Sequence, residues 1–479
     1  MTRMSTGDVD LDLVLGGGLE PGATIVFAGS PGTGKTTLAQ QICFANATEQ
    51  HKAVYYTTLS EPHDKLVAHL EQFSFFDPAV LGPKVEYLHL GDLLRGDGEG
   101  GVEPMVSEVV RKALDDEPAI MVIDSAKLLR DLVDDQALRA ALYDMTSRVS
   151  HAGTVLLLLG EYTTDEIESG AEFSLADGII QMSYESREPV DRRWLRVVKM
   201  RGGSHLEGQH ALRIGSDGVQ IFPRIETLDA FSIAPVAGRV SSGVPGLDPL
   251  MGGGIPAGDV TLVLGPSGAG KTLLCLGHLV EGLARGDDCL FVSFQDAADQ
   301  LLRMAAGVGW DLQGALDDER LTIVHVPIGR LDLDMLASTI RRRLAERPAG
   351  RVVIDSLAEL LSASREVERL PAYLRSLTAL IRSDGSSLFV TSETTTMGPP
   401  SRETFGDLMF LFQNVIQLRY IERASRLGRA LNVLKMRNSG HDTGLYLCEI
   451  GDGGLTVGER LIDVTGALGW SALNSPVDA

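Results

Sequence analysis

The sequence has few cysteines, few aromatics, no long apolar run and a shortage of basic residues. Each shortage argues against a class of protein. Only four cysteines occur in 479 residues, Cys43, Cys275, Cys289 and Cys448, and none forms a CxxC pair. This argues against a disulfide framework, a thioredoxin-type centre or a zinc site, and fits buried thiols in a reducing cytoplasm. Aromatics make up 5% of the chain, and Trp194, Trp310 and Trp470 lie far apart in it, with arginines beside Trp194 alone. These tryptophans therefore read as packing residues rather than base-stacking platforms. The longest apolar runs, such as Val155–Leu159, fall far short of the ~18–20 residues of a spanning helix. The opening MTRMSTGDVDLDLV has no apolar core of the signal-peptide kind. Against 65 Asp and Glu stand only 43 Lys and Arg, a net charge of −22. That balance disfavours nucleic acid, whose binding rests on neutralised phosphates, and anionic membrane. A cytoplasmic protein with neither partner is expected.

Glycine is plentiful, at 53 residues, and the chain repeats itself. STGDVDLDLVLGGGLEPGATIVFAGSPGTGKT (5–36) returns as SSGVPGLDPLMGGGIPAGDVTLVLGPSGAGKT (241–272), an offset of 236. VVKMRGGSH (197–205) returns as VLKMRNSGH (433–441) at the same offset. A repeat this long is a duplicated domain rather than a solenoid unit. The expected boundaries are a first domain at 1–225, a linker at 226–240 punctuated by Pro235, a second domain at 241–460 and a short tail at 461–479.

Within each copy, near-continuous apolar runs alternate with longer helical stretches. The strands are expected at 24–29, 53–59, 119–125 and 154–160, then at 261–266, 289–294, 351–356 and 387–392. Such strands suit a sheet covered on both faces. The fold class is α/β: two tandem P-loop domains, each a mainly parallel sheet flanked by helices.

Gly29-Ser30-Pro31-Gly32-Thr33-Gly34-Lys35-Thr36 fits GxxxxGK[ST], as does Gly265-Pro266-Ser267-Gly268-Ala269-Gly270-Lys271-Thr272. Each follows a predicted strand and opens a predicted helix, the context this motif requires. Backbone N–H groups and the helix N-terminus would cradle the phosphates of ATP, with Thr37 and Leu273 continuing the cradle. Lys35 and Lys271 would reach the β- and γ-phosphates, and Thr36 and Thr272 would ligate Mg²⁺. Asp124 and Asp355, each ending an apolar strand, are the expected carboxylates on the magnesium side.

LDxxxGGG before each phosphate loop, IDS at the strand ends and KMR…H late in each copy together resemble the KaiC family, two-domain ATPases of the RecA superfamily. The resemblance covers roughly residues 5–450. It implies a homohexameric ring with ATP between subunits, a signalling or clock-type role and a protein partner of unidentified kind. It also implies that Lys199 and Arg201, and likewise Lys435 and Arg437, act in trans on the γ-phosphate held by a neighbour. His205 and His441 would buttress those segments.

Two departures from the family pattern stand out. The family's acidic pair after the second strand reads Ser60-Glu61 here in one copy and Gln295-Asp296 in the other. A general base must accept a proton, and neither Ser60 nor Gln295 is suited to it. Either Glu61 and Asp296 take over, with Gln295 positioning water, or hydrolysis is slow and the protein is a nucleotide-gated scaffold. Second, Met409 and Phe410 stand where clock members of the family carry phosphoacceptor hydroxyls, while Ser401 and Thr404 lie out of register. Autokinase activity is therefore in doubt. A DNA-repair ATPase is the remaining alternative, and the charge disfavours it.

Overall fold

Alternating the two faces of a fully apolar strand explains both halves of the molecule. A computed structural model describes residues 3–57, 63–90, 102–131, 133–186, 191–228, 231–233, 236–364, 366–394, 408–423, 426–437 and 439–462. Every residue of the strands Thr24–Gly29 and Val260–Gly265 is buried. In the first, Ile25 and Phe27 join one hydrophobic cluster with Leu38 and Ile42 of the helix Lys35–Asn46. Val26 and Ala28 join a second cluster with Val109 of the helix Glu103–Asp116 and Met145 and Val149 of the helix Asp135–His151. A strand covered on both sides has no polar face, which is why it reads as a continuous apolar run.

Among the described residues each half forms a nine-stranded sheet with one shared order. In the first half the order is Val85–His89, Ala53–Thr57, Ile120–Asp124, Val155–Gly160, Thr24–Gly29, Gly178–Glu185, Arg192–Met200, His210–Gly215 and Gly218–Phe222. The first six run parallel, and the last three continue as an antiparallel meander. The expected parallel core is present, and the meander extends it. Contacts divide the chain into two compact units, Met1–Leu228 and Asp229–Ala479.

All four cysteines are buried and free. Trp194 is buried, and Trp310 packs close to Gly277 and Gly454; Trp470 lies outside the described residues. The Arg341-Arg342-Arg343 run is half-buried on the helix Leu333–Glu346. Arg343 donates to Thr322 Oγ1 at 2.7 Å and to the Glu319 carbonyl at 3.1 Å, tying the helix to the entry of the edge strand.

Candidate active site

Both glycine-rich loops leave the C-terminal end of the central strand and start a helix through a glycine. Gly34 and Gly270 cap the helices with φ of 99° and 104°. A Cβ on Gly34 would lie 2.7 Å from Ile214 Cδ1, so beyond the strained backbone angle a side chain there would have to push the isoleucine aside. Lys35 is buried and curls over its loop, its Nζ donating to the Gly29 carbonyl at 2.8 Å and the Ser30 carbonyl at 2.9 Å. Lys271 Nζ donates to the Pro266 carbonyl at 3.0 Å. Burial lowers the pKa of both lysines, while Glu161 and Asp124 oppose the shift for Lys35, and Glu393, Asp355 and Glu359 oppose it for Lys271. Each ammonium thus sits among carboxylates at the mouth of its loop.

Thr36 Oγ1 donates to Asp124 Oδ2 at 2.9 Å, and Thr272 Oγ1 to Asp355 Oδ2 at 2.7 Å. One hydroxyl and one carboxylate per site form an oxygen-only donor set. That set fits Mg²⁺, which is held by one or two such groups plus phosphate oxygens. A cleft of about 520 Å³ opens over the second loop. Its lining includes Lys271, Thr272, Gln295, Asp296, Asp355 and Glu359. Ser60 and Glu61 lie outside the described residues, as do Ser401 and Thr404. Met409 and Phe410 form a short turn, and Lys435 Nζ donates to the Met409 carbonyl at 3.0 Å and the Phe412 carbonyl at 2.7 Å.

The KMR segments stand elsewhere. Arg201 N donates to the Asp177 carbonyl, and Asp177 N donates to the carbonyl of Thr24, the first residue of the central strand. The phosphate loop begins at Gly29, five residues on, or about 17 Å at ~3.3 Å per residue. Arg437, Gln413 and Val260 repeat the arrangement in the second half. Lys199 Nζ donates to the Phe173 carbonyl at 3.3 Å, on the same rim. Each Lys–Arg pair therefore sits at the end of its sheet opposite the loop of its own domain.

A family model for the KaiC ATPase matches residues 4–226 and again residues 240–462. The chain belongs to the KaiC family of ATPases. Each half is a KaiC-type ATPase domain, and such a domain binds nucleotide. Circadian clock protein KaiC3 of Synechocystis is 25% identical over 97% of this chain and 94% of its own length. The circadian clock oscillator protein KaiC of Synechococcus elongatus is 26% identical over 95% of this chain and 88% of its own length. That of Parathermosynechococcus lividus is 25% identical over 95% and 85%. Among the described residues no helix is long and apolar enough to cross a membrane.

Several residues of these KaiC-type sites escape a motif search. Arg193 Nε donates to the Gly32 carbonyl at 3.0 Å and lies 5.2 Å over the Tyr184 ring. Arg429 does the same to the Gly268 carbonyl at 3.3 Å, 5.8 Å over the Tyr420 ring. Arg3 binds the Leu15, Gly16 and Gly202 carbonyls, and Arg239 those of Met251 and Gly254. All three pairs recur at the offset of 236, a signal present in the sequence. Tyr55 and Glu359 break the repeat: the offset puts Phe291 at the place of Tyr55, counting from the strand-end aspartates puts Leu128 at that of Glu359, and only the fold brings them to the site. Tyr55 OH donates to Asp124 Oδ2 at 2.7 Å, while Thr391 Oγ1 donates to Asp355 Oδ1.

Proposed function

We propose that this chain is a two-site ATPase working as a homohexameric ring in the cytoplasm, with a regulatory role of the clock type that its relatives' names indicate. Its working halves are residues 1–225 and 241–460, joined by 226–240 and followed by a tail at 461–479. The loops 29–36 and 265–272 hold the triphosphate through backbone N–H groups, together with Thr37 and Leu273. Lys35 and Lys271 swing from their loop carbonyls onto the β- and γ-oxygens. Thr36 with Asp124, and Thr272 with Asp355, hold Mg²⁺, which when bound offsets charge on the phosphate oxygens.

The observation that carries this reading is the position of the KMR segments. A cation about 17 Å along the sheet cannot serve its own loop. It is well placed to serve one presented by an adjacent subunit. Lys199 and Arg201, or Lys435 and Arg437, then act as trans cations on the transferring phosphoryl group. Gln295 orients the attacking water in the second site, and Asp296 and Glu61 are the acidic members of the two sequence pairs at that position. Turnover ends in free phosphate rather than phosphoprotein, because Met409 and Phe410 offer no hydroxyl.

Phosphate release by the full chain and by Lys35→Ala, Lys271→Ala and the double variant tests the reading. Each single variant should keep one site's turnover, and the double should lose it all. A double variant that still hydrolyses ATP, or a chain that stays monomeric with ATP and Mg²⁺, overturns it. Intact mass after incubation with ATP should be unchanged.

A further inference from the structure

The second site has an amide, Gln295, where the family pattern has a carboxylate. The structure places another carboxylate in the same cleft. Asp355 ends its strand, Ser356 precedes the helix Leu357–Ala363 without a side-chain capping bond, and the third helical residue is Glu359. Glu359 is half-buried, accepts a hydrogen bond from Ser356 Oγ and lines the cleft with Lys271, Thr272, Gln295 and Asp355. Its charge and that of Lys271 act on each other. In the first domain the same register holds Leu128, which is exposed.

We infer that Glu359 is the water-activating carboxylate of the second site, replacing the one lost at Gln295. The inference rests on the ATPase reading above. The water oxygen bonds to the γ-phosphorus as the bond to the β,γ-bridging oxygen breaks. That oxygen keeps the electron pair and leaves on ADP. The water's proton passes to the Glu359 carboxylate and then to solvent. Gln295 hydrogen-bonds the water without taking the proton, and Ser356 holds the carboxylate in place.

The test uses the full chain with Lys35→Ala, so that only the second site turns over. Glu359→Gln should lower the rate of phosphate release by about 10²-fold, the scale of general-base catalysis. Affinity for a fluorescent ATP analogue should stay within roughly threefold, and the melting temperature should be unchanged. Adding Gln295→Glu should restore about tenfold of the loss, because the cleft then has a carboxylate at the other position. Turnover that ignores Glu359→Gln overturns the proposal. So does a loss matched by weaker nucleotide binding or lower melting, which marks Glu359 as a helix cap only, or a loss produced by Asp296→Asn instead. Turnover in the Lys35→Ala chain that does not fall with Lys271→Ala sinks the ATPase reading of this domain, a result distinct from indifference to Glu359.

Discussion

Asp124 and Asp355 each accept a threonine hydroxyl from the phosphate loop, and each is steadied by a second hydroxyl of different origin. In the first domain it is the Tyr55 phenol, which burial and then the Asp124 charge push far above its ordinary pKa, so it stays a donor. In the second, Phe291 fills the tyrosine's place and Thr391 supplies the bond from the next strand. A hydrogen bond to a charged group contributes about 1.5–3 kcal/mol. Outer contacts of this kind set metal affinity over roughly 10–100-fold. Tyr55→Phe in a Lys271→Ala chain should therefore raise the Mg²⁺ concentration needed for half-maximal ATP hydrolysis by roughly tenfold. Thr391→Val should do the same for the second site in a Lys35→Ala chain. Magnesium titrations of phosphate release check both, and an unchanged midpoint would mean that the aspartate is held well enough by its loop threonine.

The LDxxxGGG and KMR segments lie far apart in sequence yet form one element at the rim of the sheet. Gly16 has φ of 71°, and a Cβ there would lie 2.1 Å from the Ser204 carbonyl oxygen, just beyond the KMR residues. Arg3 bridges the two strips by binding the carbonyls of both Gly16 and Gly202. Gly16→Ala combines a left-handed backbone penalty of about 1–2 kcal/mol with a backbone clash. It should lower the melting temperature by roughly 4–8 °C and loosen Arg201. Gly153→Ala, also at positive φ but with open space around it, should cost only the backbone penalty. A second element effect concerns the helix Lys271–Arg285 and the strand Arg351–Asp355. Arg351, 1% exposed, donates to His278 Nδ1 at 3.0 Å and to Asp287 Oδ2 at 3.0 Å. The same Arg351 nitrogen also donates to the Ser241 and His278 carbonyls, so His278 stands beside a fixed positive charge. Burial, then the Arg351 charge, hold its pKa well below 6.5. Below pH ~6.5 the unfolded chain thus binds a proton that the folded chain refuses, so stability falls on acidification and is complete above that pH. The first domain has Ile42 and Ile120 in these places. Calorimetry at pH 7.5 and 5.5 should show a smaller acid shift once His278→Ile and Arg351→Ile are combined.

At the scale of the whole molecule, what could be read in the sequence was what is repeated. The phosphate loops, strand-end aspartates and parallel core follow from local spacing and apolar runs, and the structure has them where the runs lie. Tyr55, Glu359 and the coupling of Gly16 to the KMR loop were not legible, because they depend on which strands are neighbours. Sheet order is also what sets Arg201 at the opposite end from Gly29, and this makes the strongest prediction one about assembly. If Arg201 acts in trans, two inactive chains can repair each other. One chain carries Lys35→Ala, so its loop is dead but its Arg201 is intact. The other carries Arg201→Ala with an intact loop, and both carry Lys271→Ala to silence the second site. The first alone should not hydrolyse ATP, and the second only slowly, with loss of a trans cation costing about 10³–10⁵-fold. Mixed at equal amounts and reassembled with ATP, about a quarter of interfaces would pair a sound loop with a sound arginine in a ring of heterologous contacts. Phosphate release should then recover toward a quarter of the rate of the chain carrying Lys271→Ala alone. If Arg201 served its own domain, mixing would recover nothing, because no chain in the mixture holds both groups.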